Sequence, residues 1–164
     1  ANNPSDLRRA LNGVHTAFYL LHSINAGKNF DEVESAMAKN FAESAQAENV
    51  SQIVYLGGIA NDQNRSQHLA SRMNTGALLA SGKVPVLELR AGIIIGSGSA
   101  SFEMLRHLTH RLPIMTTPKW VSNLTQPISI RDALYYLRKS IESDFLFEQI
   151  QTVQFRLARG CSER

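Results

Sequence analysis

His68 and Arg72 stand four residues apart in Gln67-His-Leu-Ala-Ser-Arg72, the spacing that puts two side chains on one face of a helix. An imidazole exchanges protons near neutral pH. A guanidinium stays charged throughout and holds sugar or phosphate oxygens without giving up a proton. The pair could bind and protonate an oxygen-rich ligand; the plainer alternative is a solvated pair opening an ordinary helix. Glu103, His107 and His110 recur at i, i+4 and i+7, a spacing some zinc sites use, but the stronger His-Glu-x-x-His pattern is lacking. Leu105 and Leu108 mark the buried stripe there, so a solvated polar face is the simpler reading and no metal is expected. Gly96-Ser-Gly-Ser-Ala-Ser101 follows a predicted strand and precedes a predicted helix, the context of a phosphate-cradling turn. It has no third glycine and no acidic ribose ligand after a second strand, and reads better as a turn opening the Phe102 helix. Glu88 and Arg90 are polar residues inside an otherwise apolar run. An unpaired buried charge is expensive, so Glu88 should pair with Arg90 or another partner.

These groups need elements to position them. Val14 to Leu21 is an apolar run rich in aromatic residues and reads as a buried strand. Phe30, Val33, Met37, Phe41 and Ala45 recur at helical spacing, with Asp31, Glu32 and Glu34 complementing the dipole of the first turn. Ile53-Val-Tyr-Leu56 is a second strand, closed by Gly57-Gly58. Leu69, Met73, Gly76 and Ala80 form a helical face that stops at Ser81-Gly82. Val84 to Arg90 is a third strand. Phe102, Leu105, Leu108 and Leu112 suggest another helix. Pro127 to Ile130 suggests a short strand, and Ser129 with Asp132 a capping box opening a helix through Leu134, Leu137 and Ile141. In the last twenty residues Leu146, Ile150, Val153 and Leu157 favour a helix over the alternating strand Val153, Phe155 and Leu157 would make. Strand–helix alternation of this kind predicts an α/β fold, a mainly parallel sheet with flanking helices. Leu21-His22-Ser23 would then sit at a strand's carboxyl end, where ligands bind in such sheets.

Composition bounds the function. The chain has 164 residues, 43% of them hydrophobic and 19% charged, ordinary for one globular domain. A net charge of +3, with no basic run longer than two residues, does not suggest nucleic acid. No apolar stretch approaches the roughly 20 residues of a membrane span. The single cysteine, Cys161, gives no internal disulfide and fits a reducing, cytoplasmic compartment. The start, Ala1-Asn-Asn-Pro4, reads as a processed product or a piece of something longer.

Four segments, in order, resemble the atypical, extended-like short-chain dehydrogenase/reductases, the NAD(P)-binding, nucleoside-diphosphate-sugar epimerase-like group. Gly13-Val-His-Thr-Ala-Phe-Tyr-Leu-Leu-His-Ser23 is similar to that family's fourth strand. Asn40 to Ala45 followed by Ile53-Val-Tyr-Leu-Gly-Gly58 is similar to its next helix and fifth strand. Leu87-Glu-Leu-Arg-Ala-Gly-Ile-Ile-Ile-Gly96 is similar to the sixth strand and the loop where the family has Arg-Pro-Gly. Gln126-Pro-Ile-Ser-Ile-Arg-Asp132 resembles the return from the substrate region. The resemblance covers roughly residues 5–142 and implies a partial Rossmann-like fold, one domain over 1–164, with Gly96–Thr125 towards the substrate-binding region.

The resemblance also implies NAD or NADP as cofactor of the full fold. Leu21, His22, Ser23, Gly57, Gly58, Ala91, Gly92 and Ile93 would line the cofactor. The chemistry would be hydride transfer on a carbonyl or sugar-like small-molecule substrate. The family's Tyr-x-x-x-Lys is replaced by His68 and Arg72, which become the catalytic candidates, and its serine after the fifth strand is replaced by Gly57-Gly58. The family's first glycine-rich strand–turn–helix and its second βα unit have no counterpart in these residues. The chain alone is therefore expected to bind the dinucleotide weakly or not at all and to be inactive. A sheet without that unit has an exposed edge, which favours self-association. The rival reading is a non-catalytic cofactor-binding or oligomerising module.

Overall fold

A computed structural model describes residues 3–21, 30–59, 67–96, 103, 106–107, 126–142 and 151–154; for 67, 68 and 151–154 it describes the backbone. Helix α1 (Pro4–Leu11) starts where Asn3 Oδ1 accepts the Ser5 N–H at 3.0 Å and Pro4 sits in the first turn. Gly13, at φ 72°, turns the chain into β1 (Thr16–Tyr19). Helix α2 (Phe30–Ala47) ends in a left-handed cap: Asn49 takes φ 56°, and the Val50 N–H donates back to the Ala45 carbonyl at 2.9 Å. Strand β2 (Gln52–Gly58), helix α3 (Gln67–Ala80) and strand β3 (Val86–Ala91) follow. The short strands β4 (Ile94–Ile95) and β5 (Ile128–Ser129) pair with each other, and helix α4 (Ile130–Glu142) leads towards β6 (Gln151–Gln154).

The main sheet runs β1-β2-β3-β6 with every pair parallel. Parallel neighbours need crossovers, and α2 and α3 supply the first two. One face buries Ala17, Tyr19, Ile53, Tyr55 and Val86 with Ala38, Phe41, Ala42, Ala45 and Leu79 from α2 and α3. Tyr19 meets Phe41 and Tyr55 edge-on, ring centroids 5.0 and 6.0 Å apart. The other face buries Val54, Leu87, Leu89 and Ala91, with Phe18, Leu56, Ile94, Ile128 and Leu137 packed against them. Because β2 and β3 are covered on both faces, their sequences are mostly apolar rather than alternating, with Gln52, Glu88 and Arg90 as the exceptions.

Ser129 caps α4 as expected: its Oγ accepts the Asp132 N–H at 3.1 Å and donates to Asp132 Oδ2 at 2.8 Å. Ala133, Leu137 and Ser140 turn inward, and the Gln52 side-chain amide donates to the Ser140 carbonyl at 3.4 Å. Ile130, Leu134, Tyr135, Tyr136 and Ile141 stay exposed.

Three expectations are corrected in extent or kind. Strand β1 is shorter than Val14–Leu21, because Leu20 and Leu21 run past the last pairing with β2 and are exposed. Strand β3 starts at Val86, not Val84. The helix favoured for the end of the chain is a strand over 151–154, drawn into the sheet because β3 otherwise leaves a row of unpaired backbone groups on that side. Leu146, Ile150, Phe155 and Leu157 lie outside the described residues, as do Phe102, Leu105, Leu108, Leu112 and Cys161. Among the described residues no helix is long and apolar enough to cross a membrane.

Candidate functional site at the carboxyl end of the sheet

Strand β2 ends in two glycines, and the bare backbone there is occupied by side chains from α3. A Cβ on Gly58 would lie 3.1 Å from Leu69 Cδ2, 3.3 Å from Arg72 Cδ and 3.4 Å from Arg72 Nη1. Arg72 therefore lies across the end of the strand, its guanidinium beside Gly58. The Arg72 carbonyl accepts the Tyr55 hydroxyl at 2.9 Å. Burial pushes the Tyr55 phenol up from its ordinary value, and the Arg72 charge opposes that only in part. His68 occupies the helical position one turn before Arg72; its side chain lies outside what is described.

Behind this end sits a buried carboxylate. Glu88, 5% exposed, has its Oε1 where Cβ atoms of Gly57 and Gly76 would lie, 2.6 and 3.3 Å from those positions. Two glycines, one on β2 and one inside α3, thus open the space the carboxylate fills. Its Oε2 accepts from Arg90 Nη2 at 2.9 Å, the pairing expected from the sequence. The Glu88 hydrogen bond is also the main reason the Arg90 guanidinium titrates higher than usual. Arg90 is the register partner of Gly57, so this pair lies alongside the glycine end of β2.

A second buried carboxylate escaped sequence reading. Glu34 of α2 accepts the Ser71 Oγ–H at 2.5 Å, tying the start of α2 to the residue beside Arg72. Glu34 is buried, whereas its place in the first turns suggested only a dipole role. Its i, i+4 relation to Ala38 on the buried face was the available signal.

The loop after β3 is built by close backbone approach. The Ile59 N–H donates to the Ala91 carbonyl at 3.1 Å and the Ile128 N–H to the Ile93 carbonyl at 2.9 Å. A Cβ on Gly92 would lie 2.3 Å from the Gln126 carbonyl oxygen, and one on Gly96 would lie 2.6 Å from Ile130 Cγ2. Gly92 and Gly96 are thus required by the returning segment. Gly96, the first glycine of the phosphate-like motif, packs on α4; Ser97 to Ser101 lie outside the described residues.

Leu21 is exposed just beyond β1, while His22 and Ser23 lie outside the described residues. The carboxyl end thus brings together Gly57, Gly58, Arg72, Arg90 and Ala91, with Gly92 and Ile93 continuing from β3. Glu103 pairs with Arg106 at 2.8 Å, His110 lies outside the described residues, and no group of three metal-ligating residues occurs among those described.

A parallel α/β sheet joined by helical crossovers has the layered architecture of Rossmann-like folds. Solved structures give this likeness particulars. WbmG from Bordetella bronchiseptica, solved with NAD and UDP, superposes with a TM-score of 0.72 at 13% identity, over 94% of this chain and 55% of that one. UDP-N-acetylglucosamine 4-epimerase from Bacillus cereus gives 0.66 at 15%, over 94% and 62%. Triphenylmethane reductase from Citrobacter sp., complexed with NADP(H), gives 0.50 at 19%, over 66% and 36%. The chain thus spans less than two thirds of each of these proteins and shares a partial Rossmann-like fold with them. No family model matches the sequence, and no curated protein does.

Proposed function

We propose that the chain is the nicotinamide- and substrate-side part of an NAD(P)-binding, short-chain dehydrogenase/reductase-like protein acting by hydride transfer on a carbonyl or sugar-like substrate. The observation that carries the reading is Arg72 lying across Gly58 at the carboxyl end of β2. The residues present suit a dinucleotide: the two glycines let the Arg72 side chain lie close against the end of β2, and a guanidinium placed there donates to ribose or phosphate oxygens. Bound NAD(P) would supply the hydride. Arg72 orients the ribose, and His68, one turn earlier, exchanges the proton at the substrate oxygen. Leu21, His22, Ser23, Gly57, Gly58, Ala91, Gly92 and Ile93 line the cofactor. The chain forms one domain over 1–164, with Gly96–Thr125 contributing to the substrate side, and its single Cys161 fits the cytoplasm.

The test uses the protein expressed from its whole reading frame, with NAD and NADP titrated by fluorescence and turnover followed on carbonyl and nucleotide-sugar substrates. Arg72→Gln should weaken dinucleotide binding at least tenfold, and His68→Gln should abolish turnover while binding persists. Full turnover in His68→Gln removes the catalytic assignment, and unchanged dinucleotide binding in Arg72→Gln removes the cofactor assignment.

A non-catalytic, self-associating module is the second reading, and one observation favours it. Strand β1 is an edge strand, and the two leucines that follow it, Leu20 and Leu21, are 47% and 43% exposed. Dinucleotide binding with no turnover on any substrate, together with a dimer in sedimentation, would select it.

A further inference from the structure

We infer that Arg90, held by Glu88, is a preset donor for a substrate oxyanion, a carboxylate or a phosphoryl group, at the carboxyl end of β3. The inference rests on reading that end of the sheet as the ligand-binding end.

Three observations carry it. The fold keeps a charged carboxylate at 5% exposure and gives up two side chains, at Gly57 and Gly76, to make room for it. A buried ion pair adds little stability over well-packed apolar residues of similar volume, so stability alone does not account for the arrangement. What the carboxylate does is fix a guanidinium: Oε2 holds Arg90 Nη2 at 2.9 Å, and the arginine side chain keeps 24% exposure. A planar fork held this way loses less rotamer freedom on meeting a ligand than a free one. Finally, Arg90 Nε is buried without a hydrogen-bond partner among the described residues, although buried donors are nearly always satisfied. Nε–H lies on the same edge of the guanidinium as the Nη2 that Glu88 holds, so an oxyanion accepting from Nε supplies that partner beside Glu88 once the groups covering Nε part. Carboxylates and phosphates both accept charge-assisted hydrogen bonds from arginine N–H groups. Glu88 is in this reading a positioning residue, and Arg90 the group that touches the ligand.

The experiment follows the Arg90 Nε–H directly. In the ¹⁵N-labelled chain, the arginine side-chain resonance that Arg90→Lys deletes is monitored while inorganic phosphate, or acetate in a parallel arm, replaces chloride at constant ionic strength. A saturable shift with either anion is expected. A response to both marks a carboxylate-or-phosphate site, and a response to phosphate alone narrows the class to phosphoryl groups. A resonance that moves with neither anion overturns the inference. Glu88→Gln, with its amide spectrum confirming the fold, should weaken phosphate at least threefold; parent-like affinity overturns the positioning role. Should Glu88→Gln fail to fold, Arg90→Lys keeps the charge next to Glu88. In that variant phosphate is followed by the backbone amides of β3, as in a parallel titration of the parent; a drop in affinity of at least tenfold is then required, and an unchanged affinity overturns the proposal. Arg72→Gln separates this from the cofactor reading. If it leaves dinucleotide binding intact, the cofactor reading fails while the Arg90 response stands or falls by itself.

Discussion

Alanine at Gly57 should destabilise the protein far more than its small size suggests, and Glu88 should be the whole reason. The backbone at Gly57 is not in the left-handed region, so a methyl group there meets no conformational penalty. What it meets is Glu88 Oε1 at 2.6 Å and Tyr55 Cε1 at 3.3 Å, and the first of these must move. The carboxylate sits between β2 and α3 and is tied to Arg90, so displacing it strains or breaks a buried ion pair. Removing a partner outright from such a pair costs roughly 3–5 kcal/mol. A forced shift that weakens the pair should cost about 2–4 kcal/mol, a fall in Tm of roughly 5–15 °C for a chain of this size. Gly76→Ala makes the contrasting control. Its methyl would lie 3.3 Å from the same two atoms, which is tight but tolerable, and alanine in a helix interior gains about 1 kcal/mol over glycine. Its net effect should stay within about 1 kcal/mol of zero. Urea denaturation of the double-mutant cycle is the decisive assay. In a Glu88→Ala background, Gly57→Ala should cost no more than about 0.5 kcal/mol, because the clashing oxygen is gone. An equal cost with and without Glu88 would refute the cradle.

Tyr19 titrates at about 12, raised first by burial and then by the nearby Glu34 charge. The folded state therefore keeps its proton longer than the unfolded chain, so stability is intact below pH 10 and falls as pH rises towards 12. Tyr55 shifts in the same direction; a pH series of urea melts should show that loss, with a smaller slope in Tyr19→Phe. Ser129→Ala removes the cap of α4 and should cost about 1 kcal/mol in the same melts. The 164-residue chain by itself should bind NAD or NADP at millimolar affinity or weaker by calorimetry. The few hydrogen bonds available bring about 0.5–1.5 kcal/mol each against an association cost of at least roughly 4 kcal/mol. Leu20→Lys should shift any dimer seen by sedimentation towards monomer, since a charge beside an open sheet edge opposes pairing.

Much of this architecture is legible in the sequence because its signals are local. The Phe30–Ala45 periodicity, the Ser81-Gly82 stop and the Ser129–Asp132 cap each depend on residues a few places apart, and each is found where expected. The pairing of Glu88 with Arg90 could be expected for a similar reason, since charge inside an apolar strand demands a partner close by. The last strand could not be read this way. Residues 151–154 carry a pattern compatible with either period, and the open side of β3 that fixes them lies more than sixty positions away. The same holds for the glycines. Gly57, Gly76, Gly92 and Gly96 look like turn or helix-weakening residues in isolation. Their reasons are a carboxylate from β3, a returning carbonyl and an isoleucine from α4. The bond from Ser71 to Glu34 was hidden likewise, since two helices 37 positions apart in sequence meet there.

The pairing of β4 with β5 brings together two points of the chain more than thirty positions apart in sequence, Ile94–Ile95 and Ile128–Ser129. Ile94 sits opposite Ile128 and Ile95 opposite Ser129; Gly92 admits the Gln126 carbonyl on one side of that clasp and Gly96 the Ile130 side chain on the other. Once those points are fastened, the length of chain between them matters little to the scaffold: doubling it adds only about 0.6 kcal/mol of closure entropy. The clasp therefore fixes where the chain departs after Ile95 and returns at Ile128, whatever the length between. A longer segment inserted between Gly96 and Gln126 should cost the sheet little stability as long as Gly92, Gly96 and Gln126 are kept.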